Sequence, residues 1–179
     1  MKQLESLNIL VVGDIMLDHY VMGEVERISP EAPVPIVKVS DEYYTLGGCG
    51  NVVRNIRELG ANVSCLTSVG WDSAGKMVEE ELEKLGVERL VVNESKVSTV
   101  KERIIADERK IQMIRIDREC SKEVNPNVLM NRLDEKSATY DIVVVSDYAK
   151  GVLSTELMAF LHSLNCKIIV DPKPQNRYM

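Results

Sequence analysis

Four clusters in this sequence have residue types and spacings that chemistry uses. Gly13-Asp14, with Asp18 four residues on, places two carboxylates just after an apolar run. Such carboxylates can accept hydrogen bonds from ligand hydroxyls; a turn with a solvated side chain is the plainer alternative. Gly47-Gly48-Cys49-Gly50-Asn51 stands directly before a helical stretch. Glycines let a backbone pass close to a ligand, and a helix N-terminus offers free N–H groups. A flexible turn with an Asn cap fits the same residues. The run is neither the Gly-x-Gly-x-x-Gly dinucleotide fingerprint nor a Walker-type phosphate loop. Lys101 and Arg103 are two apart and so share one face of an extended segment, with Gln112 and Arg115 following. A paired basic face can hold a phosphate, while a charged sheet edge that resists aggregation is the bland reading. Last, Ser146-Asp147-Tyr148-Ala149-Lys150-Gly151 and Asp171-Pro172-Lys173 each follow a buried-strand candidate. The Asp and Lys residues there either bridge to one another or face an anionic substrate. Cys49 reads as a small packed residue, since no basic partner lies near it in sequence. Trp71 reads as packing, and His162 as structural or exposed.

The elements that must position these clusters follow a simple rhythm. Ile9-Leu10-Val11-Val12 is a buried strand stopped by Gly13-Asp14. Val52, Val53, Ile56 and Leu59 share a helical face that ends at Gly60. Val63 to Val69 is the next strand. Asp72 or Ser73 caps a helix whose apolar face is Ala74, Met77, Val78, Leu82 and Leu85, ended by Gly86. Arg89 to Val92 is a short strand, and Asn125-Pro126 opens another helix. Ile142 to Val145 is a central strand, Leu157, Phe160, Leu161 and Leu164 a helix stripe, and Lys167 to Val170 the last strand. This alternation predicts a parallel sheet with helices on both faces. Ligands in such sheets sit beyond the carboxyl ends of the strands, where the four clusters fall. Residues 17–45, with three prolines, and 97–118, with a polar turn at Asp107 to Lys110, break the rhythm. Paired together, they are expected to form a small antiparallel sheet over one edge of the core.

Composition narrows the function classes. The chain has 179 residues and a formal net charge of -6, which argues against general nucleic-acid binding. At 45% hydrophobic and 28% charged residues it has the make-up of a folded globular protein. No apolar run approaches the roughly 20 residues of a membrane span. The start lacks the pattern of a secretory signal, so a cytoplasmic location and no membrane partner are expected. Cys49, Cys65, Cys120 and Cys166 lie far apart, which reads as reduced thiols and not as zinc ligands.

Taken together, the motifs resemble the ribokinase-like, or PfkB, carbohydrate kinase family. The resemblance rests on Val12-Gly13-Asp14, the Gly47-Gly48-x-Gly50-Asn51 turn, Leu59-Gly60-Ala61 and the run from Val69 to Gly75, in that order. Within the family, Gly13 to Asp18 and Arg27-Ile28-Ser29-Pro30-Glu31-Ala32-Pro33-Val34-Pro35 are similar to the branch that phosphorylates D-glycero-D-manno-heptose 7-phosphate. That activity is often one half of a bifunctional ADP-heptose synthase.

The resemblance implies an α/β core of residues 1–16, 46–96 and 119–179, with a β-sheet lid of residues 17–45 and 97–118. The lid implies a homo-oligomer. The implied reaction moves the γ-phosphoryl of ATP to the anomeric hydroxyl, with Mg²⁺, toward lipopolysaccharide inner-core heptose. Asp14 matches the sugar-hydroxyl ligand, with Asp18 a further sugar contact. Gly47, Gly48 and Asn51 match the loop touching the sugar. Lys101 and Arg103 are candidates for the 7-phosphate, with Gln112 and Arg115 completing that motif. Asp147, Lys150 and Lys173 would lie near the transferred phosphate. An Asp14→Ala variant is expected to lose sugar binding with the fold intact. The family's Gly-Ala-Gly-Asp segment, which carries the anion hole and catalytic base, is absent from the 179 residues. The chain is therefore expected to be the sugar half of a kinase, inactive alone, with no catalytic residue and no metal ligand of its own. A non-catalytic dimerisation or binding module, and a kinase for another sugar, are the alternatives.

Overall fold

The structure is a computed structural model that describes residues 5–94, 97–106, 110–134 and 139–174. Nine strands and four helices are seen among them. They are β1 (Asn8–Gly13), β2 (Ile15–Ile28), β3 (Pro35–Gly48), α1 (Cys49–Glu58), β4 (Asn62–Gly70), α2 (Ser73–Lys84) and β5 (Glu88–Glu94). There follow β6 (Val100–Ala106), β7 (Ile111–Arg118), α3 (Pro126–Asp134), β8 (Ile142–Ser146), α4 (Thr155–His162) and β9 (Lys167–Asp171).

One sheet has the order β5-β4-β1-β8-β9, and every neighbouring pair in it is parallel. β1 lies at its centre because it is apolar on both faces. Leu10 and Val12 point to the layer that holds α3 and α4, with Leu129, Leu157 and Leu161. Ile9 and Val11 point to the opposite layer, with Val53 of α1 and Val78 and Leu82 of α2. Each of these leucines is fully buried, and each such burial is worth about 1.5–3 kcal/mol. The period-2 alternation of one strand thus feeds two cores.

The second sheet has the order β3-β2-β6-β7. It is mixed, which corrects the expectation of an antiparallel sheet. β2 pairs antiparallel with β3, and β6 antiparallel with β7, but β2 and β6 run parallel. The reason is topological. Both strands leave the first sheet from the carboxyl ends of its strands, so they travel outward in the same sense. Of the polar turn expected at Asp107 to Lys110, residues 107–109 lie outside the described residues, and Lys110 is a turn residue before β7.

Other local expectations hold or shift by a residue or two. Asp72 caps α2, its carboxylate accepting the Gly75 N–H at 2.8 Å. The glycine run does not precede α1: Gly48 is the cap, and Cys49, Gly50 and Asn51 form the first turn. Asn51 is thus inside the helix and not a cap. Leu59 follows α1 and is 54% exposed, because the helix ends before its apolar stripe does. Trp71 is 78% exposed, not packed, since it sits in the short turn between β4 and the cap of α2. His162 ends α4, with its ring Nδ1 2.8 Å from the Met158 carbonyl oxygen. No helix among the described residues is long and apolar enough to cross a membrane.

Candidate functional site

The carboxyl end of β1 runs through Asp14 into β2, and β3 returns beside β2 to the glycine turn. This geometry dictates the site. The β2–β6 register sets Asp18 beside Lys101 and Tyr20 beside Arg103. The β2–β3 register sets Asp18 beside Thr45 and Met16 beside Gly47. Laterally paired residues share a face, so these side chains converge. They line one cavity of about 300 Å³ with Gly48, Asn51, Arg54 and Tyr148. Asp18, Gly47, Gly48, Asn51, Lys101 and Arg103 were all read from the sequence as substrate contacts, and the structure brings all six together.

Arg103 Nη1 donates to Asp18 Oδ1 at 2.6 Å, and its guanidinium lies 5.2 Å from the Tyr20 ring centroid. Burial opposes the charge on Arg103, but the hydrogen bond and charge of Asp18 outweigh it and hold the guanidinium above its usual pKa. The Lys101 ammonium lies 5.8 Å from the Tyr148 ring centroid. The Thr45 hydroxyl, at the cavity wall, has no hydrogen-bond partner among the described residues.

The glycines are close-approach residues. Gly48 sits at φ 58°, which L side chains rarely adopt. A Cβ on Gly47 would strike the Asp18 carboxylate, and one on Gly48 the Asp14 carbonyl oxygen.

Asp14 does not line the cavity. It is 1% exposed and lies behind it. Its Oδ2 accepts the N–H of Tyr148 at 2.9 Å and of Lys150 at 3.1 Å, and its Oδ1 accepts the N–H of Val152 at 3.1 Å. It therefore anchors the loop after β8, which carries Tyr148 into the cavity wall. That loop holds Ala149 at φ 56°, a conformation costing about 1–2 kcal/mol for a residue with a Cβ. Asp147 offsets the cost by accepting the Ala149 N–H at 2.8 Å, and it also accepts the Lys173 N–H at 3.1 Å. Asp147 and Lys173 thus tie the ends of β8 and β9 together. The Lys150 ammonium pairs with Glu119 at 2.7 Å. None of these three residues lines the cavity.

Gln112 and Arg115 lie on β7, the outer strand, and also stay outside the cavity lining. Arg115 is opposite Arg103, but its guanidinium makes two bonds of 2.9 and 3.0 Å to Asp117. Cys49 is packed as expected. Burial, then neighbouring Cys65, pushes its thiol well above the usual value, so it is no nucleophile. Sequence reading missed Tyr20, Thr45 and Arg54. Arg54 had a signal: it is three residues after Asn51, so the two share a helix face.

No group of three His, Cys, Asp or Glu side chains among the described residues could hold a metal ion. Mg²⁺ in phosphoryl transfer is commonly held by one or two carboxylates and the nucleotide phosphates. The nearby carboxylates Asp14 and Asp147 are engaged by backbone N–H groups, so these residues do not make such a site.

A parallel α/β sheet, a second sheet rising from its carboxyl edge, and a glycine turn between them define a sugar-kinase architecture of the ribokinase-like kind. The pfkB family carbohydrate kinase profile matches residues 6–179, and this chain belongs to that family. It is 45% identical over 176 residues to the "Bifunctional protein HldE" of Campylobacter concisus, covering 94% of this chain and 37% of that protein. The protein of the same name from Nitratiruptor sp. is 41% identical over 169 residues, covering 92% and 36%. The chain thus spans little more than a third of the length of these relatives. Among solved structures, the tetrameric inhibited form of phosphofructokinase-2 from Escherichia coli superposes with TM-score 0.72 at 19% identity, over 93% of this chain and 55% of that one. A carbohydrate kinase from Agrobacterium tumefaciens gives TM-score 0.65 at 20% identity, over 92% and 53%.

Proposed function

We propose that this chain is the sugar-phosphate-binding part of a carbohydrate kinase. Its substrate is D-glycero-D-manno-heptose 7-phosphate, phosphorylated at the anomeric hydroxyl by ATP with Mg²⁺, in ADP-heptose supply for the lipopolysaccharide core. The observation that carries this reading is the cavity between the glycine turn and the second sheet, where Asp18, Lys101 and Arg103 converge. A carboxylate there accepts sugar hydroxyls, and cations hold a phosphate. The resemblance of the 27–35 run to the heptose 7-phosphate branch supports the choice of sugar.

Phosphoryl transfer needs positioning, charge stabilisation and a base for the hydroxyl proton. The described residues supply the first for the acceptor sugar. With no Gly-Ala-Gly-Asp segment in its sequence, the chain by itself is expected to bind the sugar and not turn it over. Calorimetric titration with heptose 7-phosphate, without nucleotide, tests this reading. Saturable binding that is weaker for other sugar phosphates supports it. Absence of binding in a folded sample would overturn it and favour a non-catalytic module.

A further inference from the structure

Three cations line the cavity, and they are not equivalent. Arg103 is committed to Asp18 at 2.6 Å. The Lys101 ammonium faces the Tyr148 ring and has no carboxylate partner among the described residues. Arg54 makes neither a hydrogen bond nor an ion pair there, although it is half-buried at the cavity wall. Every other charged side chain of the lining is matched or balanced, so the unspent charge lies on Arg54 and Lys101. With Arg103 and Asp18 included, the lining carries a net charge of +2.

A half-buried guanidinium without a partner gives up part of its hydration for nothing in return, unless a ligand supplies the anion. A phosphomonoester carries about −1.5 to −2 charges at neutral pH, which matches the charge left over. The guanidinium fork also fits two phosphate oxygens at once, which an ammonium cannot do. Arg54 is held to this position by the fold. It lies six residues after the Gly48 cap, on the same face of α1 as Asn51, and both line the cavity together with Lys101.

We propose that Arg54 and Lys101 form the phosphate seat of this cavity, and that Arg54 selects phosphorylated over unphosphorylated sugar. Arg103, fixed by Asp18, is left to hold the sugar end of the ligand. This deepens the sugar-phosphate reading of the cavity and rests on it.

The test titrates wild type, Arg54→Met and Arg54→Lys with three probes: heptose 7-phosphate, the unphosphorylated heptose and inorganic phosphate. Thermal melts establish that each variant is folded; Met keeps an unbranched side chain at this half-buried helix position. Arg54→Met is expected to weaken both phosphate-bearing probes about 10- to 100-fold, the size of a lost charge-assisted hydrogen bond. The unphosphorylated heptose should be unaffected, and Arg54→Lys should recover part of the loss. If Arg54→Met binds the phosphate probes as wild type does, or loses the unphosphorylated sugar equally, the seat lies elsewhere and the proposal is overturned. If the wild type takes no probe at all, it is overturned likewise. If inorganic phosphate binds in an Arg54-dependent way while heptose 7-phosphate does not bind, the seat stands and the heptose reading falls.

Discussion

The Asp14 carboxylate accepts the backbone N–H of Tyr148 at 2.9 Å, a contact that joins residues 134 positions apart. It makes the first strand's end and the loop after β8 one unit. Asp14→Ala therefore removes structure as well as a candidate ligand, so the expectation of an intact fold changes. Three N–H groups lose their acceptor, each at about 1–3 kcal/mol when buried. We expect Asp14→Ala to destabilise the chain by about 3 kcal/mol or more by that arithmetic. Asp14→Asn should cost less but still be unfavourable, because its NH₂ must face an N–H. Urea denaturation and amide exchange at Val152 measure this. An Asp14→Ala variant as stable as wild type would show that the loop is anchored otherwise.

The Asp18–Arg103 pair is the second joint, between β2 and β6. Both side chains are mostly buried, at 16% and 21% exposure, so solvent screens them only in part. A double-mutant cycle of Asp18→Ala and Arg103→Ala should give a coupling of about 1–2 kcal/mol in unfolding free energy. A coupling near zero would mean the pair is not formed in solution.

Gly48 sets the approach of the turn to the cavity. Gly48→Ala places a Cβ against the Asp14 carbonyl oxygen at a φ that disfavours it. The strain is about 1–3 kcal/mol, and relief requires the turn to move. The variant should lose stability and sugar-phosphate affinity together. Unchanged affinity would place the ligand away from the turn.

What was legible in the sequence was what local pattern decides. The apolar run Ile9 to Val12 marks the central strand, and Asp72 marks the start of α2. The glycine turn, Asp18, Lys101 and Arg103 were legible as chemistry. Their convergence was not, because it depends on the parallel pairing of β2 with β6, which is more than 70 residues away in sequence. Arg115 shows the converse placement. Its motif spacing is right, but it stands on the outer strand, and Asp117 two residues on takes its guanidinium. Asp14 looks from sequence like a ligand, and the fold spends its oxygens on backbone N–H groups. Arg54 lay hidden because an arginine on an amphipathic helix reads first as solvated surface.

The second sheet leaves apolar side chains on one outer surface. Ile114 and Ile116, two apart on β7, share a face and are 52% and 36% exposed. Burying such side chains against a second copy would gain about 25 cal/mol per Å². We expect light scattering at micromolar concentration to show an oligomer, and Ile114→Glu to dissociate it. A monodisperse wild-type monomer would contradict self-association through this sheet.

Asp72 gives the chain a defined acid response. Its carboxylate accepts the N–H of Ser98 and of Gly75, both at 2.8 Å, so it caps α2 and pins the segment entering β6. Burial alone would raise its pKa, but these hydrogen bonds win and hold the carboxyl below its usual value. The folded state thus favours the ionised form more than the unfolded state does. The contribution is complete above the unfolded value, about 3.9. It is lost as pH falls through the folded value. Asp72→Asn keeps a cap oxygen but cannot serve both N–H groups as a carboxylate does. The variant should be less stable by about 1 kcal/mol at pH 7, the usual weight of the one hydrogen bond it cannot keep. Below about pH 4 the difference should shrink, as wild-type Asp72 protonates. Urea midpoints from pH 3 to 7 for both proteins decide it. A difference that stays constant with pH would mean that shape, and not charge, is what Asp72 contributes.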